Sequence, residues 1–125
     1  MGDLTANISR YEIACRDGCG YDSIDWEVVQ VVQDACDHFT RLCRKKVLLY
    51  VTSGCRCMSH NNNSGGSFDS QHLTSRAIDH RIDGFPVDKL AEYYLQKYPG
   101  RYGIGVYKDF VHLDTRTAGP SRWEG

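Results

Sequence analysis

The sequence lacks any long hydrophobic run and carries almost no net charge. Its longest unbroken apolar stretch is residues 47–51, whereas a membrane-spanning helix needs roughly 18 or more such residues. The formal net charge of −1 gives no reason to expect a nucleic-acid or membrane-surface partner. The first residues also lack the basic segment and the apolar segment of a secretory signal. We therefore expect synthesis in the cytoplasm, and any work elsewhere would need another route of release.

The sequence also lacks internal repeats, and it has no low-complexity linker beyond one loop rich in Asn, Gly and Ser. The H-E-x-x-H pattern of helical zinc sites is missing as well. Its 125 residues suffice for one domain with a single core. Hydrophobic content of 41% and charged content of 25% are typical of globular proteins. These features predict one domain over residues 1–125, and nothing suggests more than a monomer.

Six cysteines are many for a chain without an export signal, and the cytoplasm keeps thiols reduced. Four of them form two close pairs, which are Cys15 with Cys19 and Cys55 with Cys57. Their C-x3-C and C-x-C spacings depart from the C-x2-C pattern of structural zinc sites. Free or core thiols are therefore the preferred interpretation, with a disulfide or a structural zinc site left open. Cys36 and Cys43 lie in a helical pattern and are expected in the core.

Hydrophobic periodicity predicts two main helices and four strands. Apolar residues at three- and four-residue spacing predict a helix over 24–42, capped by Ser23. A second helix begins near Pro86 and stops before Pro99. The apolar run 46–52 predicts a central strand. The other predicted strands are 77–82, 102–106 and 110–114, the last two forming a hairpin. We therefore expect an α+β fold with two main helices packed on a small antiparallel sheet.

Two histidines and two acids form the most informative pattern. His72 follows a predicted loop over 57–70, Asp79 comes seven positions later, and His112 lies in the last predicted strand. Two imidazoles and one carboxylate, with a fourth position left to water, are the ligands of a catalytic zinc ion. Asp109, three residues before His112, could act as a base for that water. From the residues alone, each histidine could equally be a solvated or packed side chain, and Asp109 an ordinary turn residue.

Several short motifs occur together in a characteristic order. They are SGCRC at 53–57, SQHL at 70–73, AID at 77–79, GIGVY at 103–107, FVHLD at 110–114 and RW at 122–123. In this order they resemble the zinc D-Ala-D-Ala carboxypeptidase family of metallopeptidases. The resemblance is closest to the compact members, which include phage endolysins, and hedgehog signalling domains share the fold and the metal ligands. It therefore implies a hedgehog-like, D-Ala-D-Ala-peptidase-like fold.

The resemblance also implies a role for individual residues. The implied ligands of one zinc ion per chain are His72, Asp79 and His112. Asp109 falls on the general base of the family. Arg56 falls on the group that binds the substrate carboxylate or the developing oxyanion, a task for which the planar guanidinium is suited. Ser70 matches a serine that holds the substrate or orients the loop. Asp114 is expected either to orient a ligand imidazole or to be a surface acid at a strand end.

A function follows from the resemblance. Members hydrolyse peptide bonds in the stem peptides of bacterial peptidoglycan, so we expect a zinc-dependent peptidase with a stem peptide as its substrate. It would be a D-Ala-D-Ala carboxypeptidase or an L-Ala-D-Glu endopeptidase, in the setting of a phage or prophage endolysin. Such an enzyme would be released from the cytoplasm to the cell wall, and no stretch resembles an added wall-binding domain. The alternative is a catalytically inactive zinc-containing binding or structural module, such as a phage tail component.

Overall fold

A computed structural model describes residues 4–15, 24–54, 76–117 and 119–125 of the chain. Three predicted site residues, Arg56, Ser70 and His72, lie outside these ranges, as do the predicted loop 57–70 and the predicted cap Ser23. The helices within the described ranges are α1 (Arg10–Ile13), α2 (Trp26–Cys43) and α3 (Val87–Lys97). None of them is long and apolar enough to cross a membrane.

Helix α2 confirms the predicted long amphipathic helix, with both ends shifted by one or two residues. It begins after Asp25, which is its cap in place of the predicted Ser23. The Asp25 carboxylate accepts a hydrogen bond from the Glu27 backbone amide at 2.9 Å. This bond satisfies an amide that has no partner inside the helix. The helix ends at Cys43, and Arg44 after it adopts the left-handed conformation with φ of 62°. Its buried face includes Val28, Val32 and other apolar residues at the predicted spacing.

Helix α3 follows Pro86 and ends before Pro99, as predicted. The fixed φ of proline suits the entry to a helix, and its lack of a backbone amide costs nothing there. The buried residues of α3 are Leu90, Ala91 and Tyr94, and their spacing places them on one face of the helix. The two long helices therefore form where local periodicity places them.

The described strands form one mixed sheet. They are β1 (Leu49–Ser53), β2 (Ala77–Ile82), β3 (Gly103–Val106), β4 (Val111–Asp114) and β5 (Ser121–Glu124), in the order β1-β2-β4-β3-β5. The hairpin of β3 and β4 is confirmed. The expectation of an antiparallel sheet was wrong for β5, which pairs in parallel with β3. This strand is short and polar, so its sequence gave no strand signal.

Tertiary contacts hold β5 in place. The Arg122 guanidinium donates hydrogen bonds to the carbonyl oxygens of Tyr102, Tyr98 and Arg101 at 2.6, 2.7 and 2.9 Å. These contacts join the strand to the segment between α3 and β3. A backbone segment that gains its partners from so far away in the sequence cannot be recognised from its own pattern.

Strand β1 was predicted to be central, but among the described strands it lies at an edge of the sheet, beside β2. The apolar run over residues 47–51 suggested burial on both faces. In the structure Val47 and Leu49 are buried, whereas Leu48 is 57% and Tyr50 42% exposed. The run therefore alternates between the core and the solvent, as a half-covered edge strand allows.

The two faces of the sheet have different roles. Ile78 and Ile82 of β2, Leu113 of β4 and Ile104 of β3 belong to the hydrophobic core with α2 and α3. Because successive strand residues point to opposite faces, Asp79 and His112 lie on the face away from this core. The α+β class with two main helices on a sheet is thus confirmed.

The expectation that Cys36 and Cys43 lie in the core is confirmed only for Cys36. Cys36 on α2 is fully buried, whereas Cys43 at the end of the helix is only partly buried. Neither is in a disulfide. Cys19, Cys55 and Cys57 lie outside the described residues, so the pairing expectations that involve them stay predictions.

Candidate metal centre

Asp79 and His112 face each other across two neighbouring strands. The antiparallel register of β2 and β4 places the two residues directly opposite, and such pairs have neighbouring side chains. His112 Nδ1 lies 2.8 Å from Asp79 Oδ1. Asp79 is 5% and His112 8% exposed, so both polar side chains are buried. The structure thus brings together two residues that are 33 positions apart.

The other nitrogen of the His112 ring is held by Asp114. Its Nε2 atom lies 2.7 Å from Asp114 Oδ2, and Asp114 itself is fully buried. Arg116 donates to both oxygens of this carboxylate, at 2.7 and 2.6 Å, and the Gly103 amide donates to Oδ1 at 3.1 Å. Asp114 is therefore a fixed buried acid that orients the imidazole, and the alternative of a surface acid was wrong.

Electrostatics reinforce this arrangement. Burial alone raises the pKa of Asp114, but hydrogen bonds from Arg116 and His112 outweigh it and hold that pKa well below its usual range. Burial alone lowers the pKa of His112, but hydrogen bonds to Asp114 and Asp79 outweigh it and raise that pKa above 6.5. Since carboxylates only accept, the two contacts favour the protonated ring, in which both nitrogens donate.

The donor atoms fit a zinc ion. Loss of the Nδ1 proton would leave a lone pair of His112 beside Asp79 Oδ1, while Asp114 keeps the Nε2 proton. An imidazole that binds metal through one nitrogen and donates to a carboxylate through the other is a recurrent arrangement at zinc sites. Imidazole and carboxylate are also donors that zinc accepts. The predicted third ligand, His72, is not among the described residues, in which no group of three potential ligands occurs.

Asp109 lies in the turn between β3 and β4, where Tyr107 donates a backbone hydrogen bond to the Phe110 carbonyl at 3.0 Å. The residue is exposed. In the described part of the chain, no hydrogen bond or ion pair involves its carboxylate. Its role as a general base stays a prediction.

His80 is a packed core histidine and is fully buried. Its Nδ1 lies 2.9 Å from the Ile78 carbonyl oxygen, so this nitrogen carries the proton and donates it. Its Nε2, at 2.7 Å, accepts from the Tyr94 hydroxyl. Burial lowers the pKa of His80 from 6.5 to about 4. This neutral pair lies directly behind Asp79, on the core face of β2.

The sequence reasoning named Trp123 and Tyr107 only as parts of motifs and missed the contact of Trp123 with His112. The Trp123 ring centroid lies 5.0 Å from that of His112, and Trp123 Nε1 donates to the Tyr107 hydroxyl at 2.8 Å. Gly103 and Gly105 both face this side of β3. The alternation of two glycines around Ile104 was a usable signal, because glycine in a strand often marks close approach of another group.

The fold and this centre define a class of protein, an α+β domain that places an imidazole and a carboxylate side by side on the sheet face opposite its hydrophobic core. The family model described as Peptidase M15 matches residues 6–114. The chain therefore belongs to the Peptidase M15 family of zinc-dependent peptidases, which act on peptidoglycan peptides, and the predicted family is confirmed. The match includes Asp79 and His112 and ends at Asp114, before β5. The comparisons with curated proteins and with solved structures each gave no match.

Proposed function

We propose that this protein is a zinc peptidase that hydrolyses peptide bonds in peptidoglycan stem peptides. The observation that carries the proposal is the His112–Asp79 pair, whose donor atoms lie 2.8 Å apart with Asp114 behind the imidazole. Membership of the Peptidase M15 family supports it independently. His72, Asp79 and His112 would hold one zinc ion per chain.

A zinc ion held by these three residues would supply Lewis acidity and would activate water as a nucleophile near neutral pH. The chain itself orients the ligands, because Asp114 holds the Nε2 edge of His112 and Arg116 fixes Asp114. Asp109 would take a proton from the attacking water as the new C–O bond forms. It would return this proton to the amine nitrogen as the C–N bond breaks. Arg56 would bind the substrate carboxylate or the developing oxyanion, and Ser70 would hold the substrate.

The setting of this activity is also part of the proposal. We propose a phage or prophage lysis enzyme that is made in the cytoplasm and reaches the cell wall after release. The bond would be the terminal D-Ala-D-Ala bond or the internal L-Ala-D-Glu bond, and product masses distinguish the two.

The test is hydrolysis of purified peptidoglycan by the wild type and by Asp109→Ala, with zinc content measured in both. We expect cleavage by the wild type and at least a hundredfold slower cleavage by the variant, with one zinc per chain retained. The matched control is Asp83→Ala, which removes an exposed acid from the turn after β2 and should leave cleavage unchanged. Zinc binding without cleavage by the wild type would favour the inactive binding module, and no zinc binding would refute the metal site.

A further inference from the structure

A single row of residues crosses four strands of the sheet at the level of the metal centre. Asp79 on β2 is opposite His112 on β4, His112 is opposite Gly105 on β3, and Gly105 is opposite Trp123 on β5. Neighbouring strands are about 4.8 Å apart, so the backbone of Trp123 lies two strands away from that of His112. The row therefore links β5, which lies beyond the family match, to the candidate metal ligand.

Gly105 makes the contact between Trp123 and His112 possible. A Cβ atom at residue 105 would lie 2.5 Å from two atoms of the Trp123 indole, well inside van der Waals contact. With no side chain there, the indole lies across β3 and its centroid comes within 5.0 Å of the His112 ring, at an angle of 50°. The gap in the row is thus filled by the next strand's side chain.

Two further contacts fix the indole. Its Nε1 atom donates to the Tyr107 hydroxyl at 2.8 Å, and the Tyr107 ring stacks on Phe110 with centroids 4.5 Å apart. Both aromatic residues belong to the turn that carries Asp109. On the other side, the Arg116 guanidinium lies 5.4 Å from the indole centroid while it also binds Asp114. Trp123 thus contacts both His112 and the groups that surround it.

We propose that Trp123 is a positioning residue of the metal centre, which packs on His112 and ties it to the turn that carries Asp109. The proposal deepens the function proposed above and rests on it for the role of Asp109. Asp114 fixes one edge of the His112 ring through a hydrogen bond, whereas Trp123 limits rotation of the ring by packing. Groups that orient a ligand in this way typically contribute about 10- to 100-fold to metal affinity or activity.

The first experiment measures zinc affinity by competition with a chelating dye. Trp123→Ala should bind zinc about tenfold more weakly than the wild type, and Trp123→Phe, which keeps an aromatic ring, should recover most of this loss. The matched control is Trp26→Ala at the start of α2, where the only other tryptophan is 58% exposed, and its zinc affinity should equal that of the wild type. Equal zinc affinity in folded Trp123→Ala and the wild type would overturn the proposed positioning of His112 by Trp123.

A second measurement stays informative if Trp123→Ala does not fold. Each of the two tryptophans is replaced singly by phenylalanine, so that one indole remains as a fluorescent reporter. Co²⁺, which absorbs and quenches at short range, should reduce emission at least twofold more when Trp123 is the reporter than when Trp26 is. Equal quenching of both reporters would overturn the proposal. This readout needs no hydrolysis, so it separates a failure of the positioning role from a failure of the peptidase assignment.

The link to the turn has its own test. Tyr107→Phe removes the hydroxyl that accepts from Trp123 but keeps the ring on Phe110. We expect unchanged zinc affinity, a kcat about tenfold lower and an unchanged KM, because the turn that carries Asp109 would be less fixed while substrate binding persists. A wild-type kcat in this variant would overturn the link between Trp123 and the turn.

Discussion

His112 and Asp79 are opposite each other on antiparallel strands, and the distance between Nδ1 and Oδ1 is 2.8 Å. Neither residue could approach the other if either strand were shifted by one position, because a shift of one residue moves every side chain to the other face. The same register places His80 and Val111 together in the core. The hydrophobic pattern that fixes the core therefore also fixes the pairing of His112 with Asp79.

Asp114→Asn should weaken zinc binding by about 10- to 100-fold. The amide keeps the shape of the side chain but loses the charge that holds the Nε2 proton of His112 and balances Arg116. Zinc affinity measured by dye competition checks this. Asp83→Asn, at an exposed turn, should bind zinc as the wild type does. The same affinity in both variants would contradict the role of Asp114.

Gly103→Ala should also weaken zinc binding, by about tenfold, although it changes no polar group. A Cβ atom at residue 103 would overlap the Asp114 carboxylate and lie 2.6 Å from Arg116 Nε, so the carboxylate must shift from the position in which it contacts His112. Gly100→Ala is the matched control, because a Cβ atom there meets nothing within 4 Å. Full zinc affinity in Gly103→Ala, as in Gly100→Ala, would contradict the argument that the position of the Asp114 carboxylate affects zinc binding by His112.

The buried His80–Tyr94 pair should make stability fall in mild acid. The folded chain holds His80 neutral because burial lowers its pKa to about 4. The nearby charge of Asp79 raises this pKa and that of His112 lowers it, but burial is the largest cause. Between pH 6.5 and 4, the unfolded chain therefore binds a proton that the folded chain does not, and the free energy of unfolding decreases as pH falls. At pH 5 this loss is about 2 kcal/mol.

The prediction is checked by urea unfolding of the metal-free wild type and His80→Phe at pH 7.5 and pH 5. At pH 7.5 the variant should be less stable, since it leaves the Tyr94 hydroxyl buried without its acceptor. At pH 5 the difference between the two proteins should be smaller by about 2 kcal/mol, because only the wild type has lost stability at residue 80. A difference that does not change with pH would show that His80 does not titrate in this way.

Cys36 should be inert in the folded protein. Burial, with Asp37 and Glu12 adding to it, raises the pKa of this thiol to about 12, and only the thiolate reacts rapidly. We expect no iodoacetamide modification of Cys36 at pH 8 until the chain is unfolded in urea. Cys43, which is partly exposed at the end of α2, should react much faster, and peptide mass mapping resolves the two. Equal labelling of Cys36 and Cys43 in the native protein would refute the burial argument.

The sequence by itself determined the local elements and the faces of the strands. The bounds of α2 and α3 follow from helical spacing and from Pro86 and Pro99, because these signals act between residues close together in the chain. Strand alternation likewise placed His112 and Asp114 on one face. The order of the family motifs identified the family from the sequence, and the roles of Arg56, Ser70 and His72 rest on those motifs alone.

Only the tertiary structure decided which elements are neighbours. It moved β1 to an edge, added β5 in parallel with β3, and brought Trp123 across Gly105 to His112. A polar four-residue strand has no periodicity to reveal it, and its hydrogen bonds come from residues far away in the sequence. Local patterns fix which face a side chain occupies, whereas the partners on that face depend on strand order and register, which long-range contacts set.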